Sequence, residues 1–388
     1  MDKRSIIAIA LVFVILLLWP LLFGNRKKPP VTEPIQEQHQ EAVQKKAEIP
    51  KEPRTIQKPT PKILKESITT VQTPLYEAQL SSNGGRLVSW KLKEYKKRGM
   101  DSDLINLISY NAQNCLAIKF GNPEMQNEIE GIEWEVDKKS LDIQESGQKG
   151  FVDYKYVTSK GLEIVKRMTF SADSYLVDVD IGFRNFSQQP MTLKGYDLSW
   201  GDGLVEDELI PPVELATEGP MVLLKTDKGA EIYKHWQKSK VGCFGGKTSK
   251  VPNGEEEDGP IYWACFAGKY FSVLLIPLSD NWWSNEQYPG KRYKVVSDSE
   301  ETSLNPKDVW HSWGDKTTVA LTRPSFVLPT NEVQFHKYQA YIGPKKWSIL
   351  RNVKAVDSGE NLKLGKLVQF GFFTPVGKAT LWLMQGFY

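Results

Sequence analysis

Nothing limits the architecture of this chain as strongly as the run Ser5 to Phe23, SIIAIALVFVILLLWPLLF, 19 residues without a charge. As a helix rising 1.5 Å per residue it spans roughly 28 Å, about the hydrocarbon thickness of a bilayer. One transmembrane anchor over residues 5–23 is therefore expected, with Trp19 among its membrane-contacting side chains. A cleavable signal peptide is the rival: Lys3 and Arg4 supply its basic front. Its apolar stretch should be shorter, however, and should end at small residues, whereas Leu22-Phe23-Gly24 runs straight into Asn25-Arg26-Lys27-Lys28. Basic residues flank both ends of the span, and long downstream domains translocate largely regardless of charge, so the charges alone leave the orientation open.

Residues 25–74 form the next compositional unit. Asn25 to Pro74 contains eight prolines, no glycine and no aromatic residue, with Lys, Arg and Glu scattered throughout. Such a segment buries too little apolar area to offset its ordering entropy, which predicts a disordered, proline-stiffened tether. Its coil reach is of order 40 Å. His39 is read as solvated, and the interspersed Lys and Glu as a polyampholyte instead of a lipid-binding patch.

After Pro74 the period becomes two. Tyr175, Val177, Val179, Ile181 and Phe183 share one face of a strand, while Asp178, Asp180 and Gly182 take the other. In the preceding run Leu162, Ile164, Met168 and Phe170 oppose Glu163, Arg167 and Thr169, and Ser171 to Ser174 makes a hairpin connection between them. Further strands are expected at 79–80, 87–95, 116–120, 151–157, 191–200, 261–266, 270–277, 317–322 and 333–342. Helical periodicity appears only at Pro344 to Val356, where Trp347, Leu350 and Val353 fall on one side. With 12 Trp, 15 Tyr and 16 Phe for a core, residues 75–358 read as one large antiparallel sandwich, mainly β, instead of βαβ units.

The same residues yield little chemistry. His235, His311 and His336 have no zinc-helix spacing. His336 alternates with Gln334, Tyr338 and Ala340 as a sheet-face residue, and Trp310-His311-Ser312-Trp313 reads as a packed or loop-edge cluster. Glu206-Asp207-Glu208 and Glu255 to Asp258 supply carboxylates, but their Gly- and Pro-flanked settings make them solvated loops ahead of a glycosidase pair. Gly245-Gly246-Lys247-Thr248 ends like a phosphate loop yet lacks the motif's upstream glycine and its strand-to-helix frame. Trp282, Trp283 and Tyr288 form an aromatic loop suited to a partner or a sugar. Cys115, Cys243 and Cys265 fit no metal motif, and either a Cys243 to Cys265 bridge or three half-buried thiols satisfies their spacing. A net charge of +3 argues against nucleic acid as a partner. No catalytic residue, cofactor or metal site is expected.

Several segments, taken in order, resemble the bacterial YidC membrane-protein insertases. They are the opening Met1-Asp2-Lys3-Arg4 before the apolar run, Leu80 to Leu92 with its Asn83-Gly84-Gly85-Arg86, Trp263 followed by Lys269-Tyr270-Phe271 and Pro277, and Tyr341-Ile342-Gly343-Pro344-Lys345. The resemblance covers essentially the whole chain. It implies a periplasmic β-supersandwich related to galactose-mutarotase-like domains, a cytoplasmic amino terminus, and residence in the bacterial inner membrane. It also implies a domain that is not an enzyme and that contacts the Sec translocon, its accessory subunits and nascent membrane proteins.

Residues 364–388 carry only Lys366 and Lys378 as charges and resemble the start of the family's interfacial amphipathic helix. Phe372, Phe373, Leu381 and Trp382 are its candidate membrane-contacting side chains. The family's transmembrane core lies beyond that point, so the chain reads as the amino-terminal portion of an insertase, truncated before the core. A stand-alone membrane-anchored scaffold is the second reading. A carbohydrate-binding, aldose-epimerase-like protein is the third, by fold analogy only.

Overall fold

A computed structural model describes residues 66–97, 103–108, 112, 114–201, 204, 219–226, 229–234, 255–259, 261–278, 291–297, 317–354, 359 and 361–368. Among them the strands form four sheets. The longest is antiparallel throughout. Its spatial order is β14 (Gly229–Lys234), β13 (Pro220–Thr226), β16 (Ile261–Ala267), β17 (Phe271–Pro277), β21 (Val333–Pro344), β10 (Leu176–Asn185), β9 (Leu162–Ser171), β8 (Lys149–Val157) and β6 (Glu135–Val136). An amino-terminal sheet runs β4 (Leu104–Asn106), β3 (Leu87–Lys96), β2 (Tyr76–Ser81), β1 (Ile68–Gln72), β7 (Ser140–Asp142), parallel only between β1 and β7. A third runs β15 (Glu255–Gly259), β18 (Lys291–Ser297), β19 (Thr317–Arg323), β12 (Tyr196–Trp200), β5 (Ala117–Phe120), and β11 (Met191–Leu193) pairs with β20 (Phe326–Leu328).

The period-two sequences explain the layering. On the long sheet, β16 and β17 pack against β12, β18 and β19 of the third sheet. The amino-terminal sheet covers the same core through aromatic contacts: Tyr76 stacks on Trp90 at 4.0 Å and lies 6.3 Å from Tyr175, and Tyr95 meets Phe271 edge-on at 5.2 Å. Register fixes which side chains meet. Across β8, β9, β10 and β21 an inner row reads Tyr154, Lys166, Ile181, His336, and the row beside it reads Val152, Met168, Val179, Tyr338. All eight are buried. On the opposite face the row Asp153, Arg167, Asp180, Lys337 alternates in charge from strand to strand, which is the favourable cross-strand arrangement. This is the sandwich expected from alternation.

Several expectations need correction. The tether does not extend to Pro74: Ile68 to Gln72 forms β1, a strand rich in β-branched residues whose Val71 is fully buried. Pro74 sits in the turn between β1 and β2, where the Thr73 hydroxyl accepts from the N–H groups of Leu75 and Tyr76. The expected strand 191–200 is two strands in different sheets, broken at Gly195 with φ +86°. Glu255 to Asp258 is no loop but β15, whose register sets Glu256 opposite Lys294 and Asp258 opposite Arg292 of β18.

Helix expectations also shift. A helix, α1 (Pro123–Ile129), was not anticipated. Asn122 caps it by accepting from the Glu124 N–H, with proline in the first turn. The expected helix over 344–356 shrinks to α2 (Trp347–Leu350), because Val353 accepts from the Leu362 N–H and Lys354 bridges to Asn361. Pairing with the later segment withdraws those residues from the helix. Among the described residues no helix is long and apolar enough to cross a membrane. Residues 5–23, most of the tether and residues 369–388 lie outside the described residues.

Candidate functional site

The sequence-predicted contact residues are not placed. Trp19, Trp282, Trp283, Tyr288, Phe372, Phe373, Leu381 and Trp382 all lie outside the described residues, as do His235, His311, Glu206 and Cys243. Three regions of the described domain carry polar or exposed chemistry instead: a histidine cluster, an embedded lysine and the outer face of the long sheet.

His336 faces the core from β21 with no exposed surface. Its Nδ1 lies 2.8 Å from the Tyr196 hydroxyl, which lies 2.9 Å from the Tyr338 hydroxyl. The Tyr196 ring stacks parallel to the imidazole at 5.7 Å, and Phe326 meets it edge-on at 4.9 Å. Burial, with the Arg323 guanidinium as the smaller cause, holds His336 down to about 2, so the ring is neutral at physiological pH. The neutral imidazole is enclosed between aromatic rings and presents no exposed surface. The alternation that makes His336 a sheet-face residue is correct, and the face is the inner one. Among the described residues no three His, Cys, Asp or Glu side chains gather as a metal site. Cys115 and Cys265 are both buried.

Lys166 was overlooked in the sequence. It shares parity with Leu162, Ile164, Met168 and Phe170, so the period that buried those four also buries a lysine. That parity was the available signal. Its side chain is fully enclosed, and burial pulls its ammonium down to about 7. Nζ donates to the carbonyls of Gly85 at 2.7 Å, Gly84 at 3.4 Å and Leu116.

The outer face of the long sheet carries a network of charge pairs and single aromatic rings. Arg167 holds Asp153 through two 2.7 Å bonds, and the Lys138 ammonium and Arg167 guanidinium flank the Phe151 ring at 3.8 and 4.2 Å. Asp178 accepts from Gln339 at 2.7 Å. Phe335, exposed on β21, lies over Gly182, where a Cβ would come within 2.7 Å of its ring. The face is amphipathic, laced by charge pairs and studded with single apolar rings.

The carboxyl-terminal end of the described domain is tied down. The Trp263 indole N–H donates to the Leu362 carbonyl at 3.0 Å, and Lys363 donates to the Tyr262 hydroxyl at 2.6 Å. Leu362, Leu364 and Leu367 are buried around the 3₁₀ helix Leu364–Leu367. Residues 361–368 are thereby held against the sandwich.

The YidC periplasmic domain family matches residues 68–383. A membrane protein insertase YidC from Syntrophus aciditrophicus is 22% identical over 94% of this chain and 63% of its own length. Another, from Chlorobaculum parvum, is 28% identical over 71% of this chain and 46% of its own length. The chain thus spans about half to two thirds of these relatives. Among solved structures it is similar to a galactose mutarotase-like protein from Lactobacillus casei (11% identical, TM-score 0.39, covering 71% of this chain and 100% of that one). It is likewise similar to a putative mutarotase from Salmonella typhimurium (9% identical, TM-score 0.38, covering 71% and 90%). Those two likenesses are too distant to carry chemistry across. The family match begins at the first residue of β1, takes in the whole described sandwich and continues to residue 383, and on that extent the chain belongs to the YidC periplasmic-domain family.

Proposed function

We propose that this chain supplies the membrane-anchored periplasmic portion of a membrane-protein insertase in the bacterial inner membrane. The family match over residues 68–383 carries the reading. Ser5 to Phe23 anchors the chain with its amino terminus cytoplasmic, and the proline-rich segment lets the sandwich work at a distance from that anchor. The aromatic loop with Trp282, Trp283 and Tyr288 meets the Sec translocon, its accessory subunits or a nascent membrane protein. Phe372, Phe373, Leu381 and Trp382 lie at the acyl boundary of the outer leaflet, with Trp19 in the bilayer. The domain acts by contact and placement, without cofactor or covalent step. A neutral, enclosed His336 favours this over sugar chemistry.

Photocrosslinking tests the reading. A photoreactive phenylalanine analogue is placed at 282, 283 or 288 in the full chain, in cells and in inverted inner-membrane vesicles. Adducts with integral membrane proteins of the insertion machinery are expected at one or more positions. Absence of adducts at all three, with the protein membrane-bound and folded, overturns the assignment of that loop.

A further inference from the structure

We propose that the Lys166 ammonium is a tethered monovalent cation, seated in a carbonyl cage that joins the three large sheets at one point. The cage takes one carbonyl each from Gly84, Gly85 and Leu116. Gly84 and Gly85 form the turn between β2 and β3 in the amino-terminal sheet, Leu116 immediately precedes β5 in the third, and Lys166 lies mid-strand in β9 of the longest. No other side chain among the described contacts bonds Nζ.

Three observations point to a built site. First, all three carbonyls belong to left-handed backbone: φ is +66° at Gly84, +60° at Gly85 and +53° at Leu116. For leucine that conformation is disfavoured and persists only where surroundings impose it, and here it directs a carbonyl at Nζ. Second, the turn packs closely against the side chain of Tyr154, the cross-strand partner of Lys166. A Cβ on Gly85 would come within 2.7 Å of that ring, so the glycine is what admits the carbonyl. Third, the two loops are bonded to each other, since the Leu87 N–H donates to the Cys115 carbonyl at 2.9 Å.

Burial pulls the ammonium down to about 7, and the stoichiometry of the cage opposes that loss by matching the charged form, which is the form present below that pH. An ammonium has three hydrogens for three acceptors; a neutral amine has two, and its lone pair would face a carbonyl oxygen. A carbonyl cage around a fixed positive charge is also how proteins hold dehydrated monovalent cations. Here the ion is carried by the chain itself, so the junction needs no external cation.

The test is chemical rescue in the full chain, read by amide hydrogen exchange. Lys166→Ala empties the cage, and exchange at residues 82–87 and 115–117 should accelerate roughly tenfold or more, as expected for losing charge-assisted bonds to buried carbonyls. Added methylammonium should restore much of that protection. Tetramethylammonium at equal ionic strength, which has no N–H to donate, should not. Lys166→Met keeps the apolar volume and guards against a variant that fails to fold; the same two segments should still exchange faster than in the wild type. Wild-type protection in Lys166→Met, or equal rescue by the two ammonium ions, overturns the proposal.

Discussion

Replacing Gly195 with alanine should be among the most damaging single-methyl changes in the domain. The residue sits between β11 and β12 with φ +86°, and a Cβ built there would lie 2.1 Å from the Arg323 carbonyl oxygen and 3.0 Å from Pro324. An alanine forced into left-handed backbone costs about 1–2 kcal/mol. The oxygen it meets is backbone, not a side chain able to rotate away, so relief requires β12 and β19 to separate where Tyr196 pairs with Arg323. Overpacking of that kind adds about 1–3 kcal/mol. The sum, about 2–5 kcal/mol, corresponds to a fall in melting temperature of roughly 3–8 °C for a domain of this size. Gly147 is the control: φ is +77°, but nothing lies within 4 Å of its missing Cβ, so Gly147→Ala should show the backbone part alone. Thermal unfolding followed by circular dichroism, with urea midpoints for both variants, makes the comparison. If Gly195→Ala loses no more stability than Gly147→Ala, the steric reasoning is wrong.

Other consequences are as specific. Burial holds the Asp180 carboxyl above the usual carboxylate range despite Lys337 and Arg167, so the folded state binds its proton more tightly than the unfolded chain does. Its contribution is present at low pH and lost as pH rises through the folded pKa; Asp180→Asn should therefore gain melting temperature relative to the wild type as pH rises from about 4 to 7. A constant difference across that range would refute the account. Burial pushes the Tyr154 hydroxyl up to about 12, so stability present below pH 10 should fall between about pH 10 and 12, and Tyr154→Phe should recover about 2–3 kcal/mol of that loss in urea titrations. Trp263→Phe deletes the donor to the Leu362 carbonyl and should cost about 1–3 kcal/mol. Limited proteolysis should then cut near residues 354–368 sooner than in the wild type, and unchanged cleavage there would show that the indole bond does not hold the exit segment.

Alternation in Leu162 to Phe170 and Tyr175 to Phe183 was enough to specify a half-buried antiparallel sheet, because side-chain parity in a strand allows only one assignment of faces. The same arithmetic buried His336 and Lys166, although a lysine on an apolar face looks like noise until its acceptors are known. Those acceptors come from residues 50 and 81–82 positions away, brought together only when three sheets stack. Local composition misled where pairing was the deciding force. Pro74 marked a turn instead of a linker, Glu255 to Asp258 became a strand by backbone pairing with β18, and Val353 left its helix to bond Leu362.

By itself the sequence determined a 19-residue apolar run, a proline-rich linker composition, a mainly β core and the segments that resemble its family. Those properties depend on neighbours one to four residues apart. Only the tertiary structure decided where the linker ends, that His336 is sealed and neutral, and that Lys166 joins three sheets. Each of these depends on pairing across long loops, and a one-dimensional pattern carries no record of which strand becomes the neighbour.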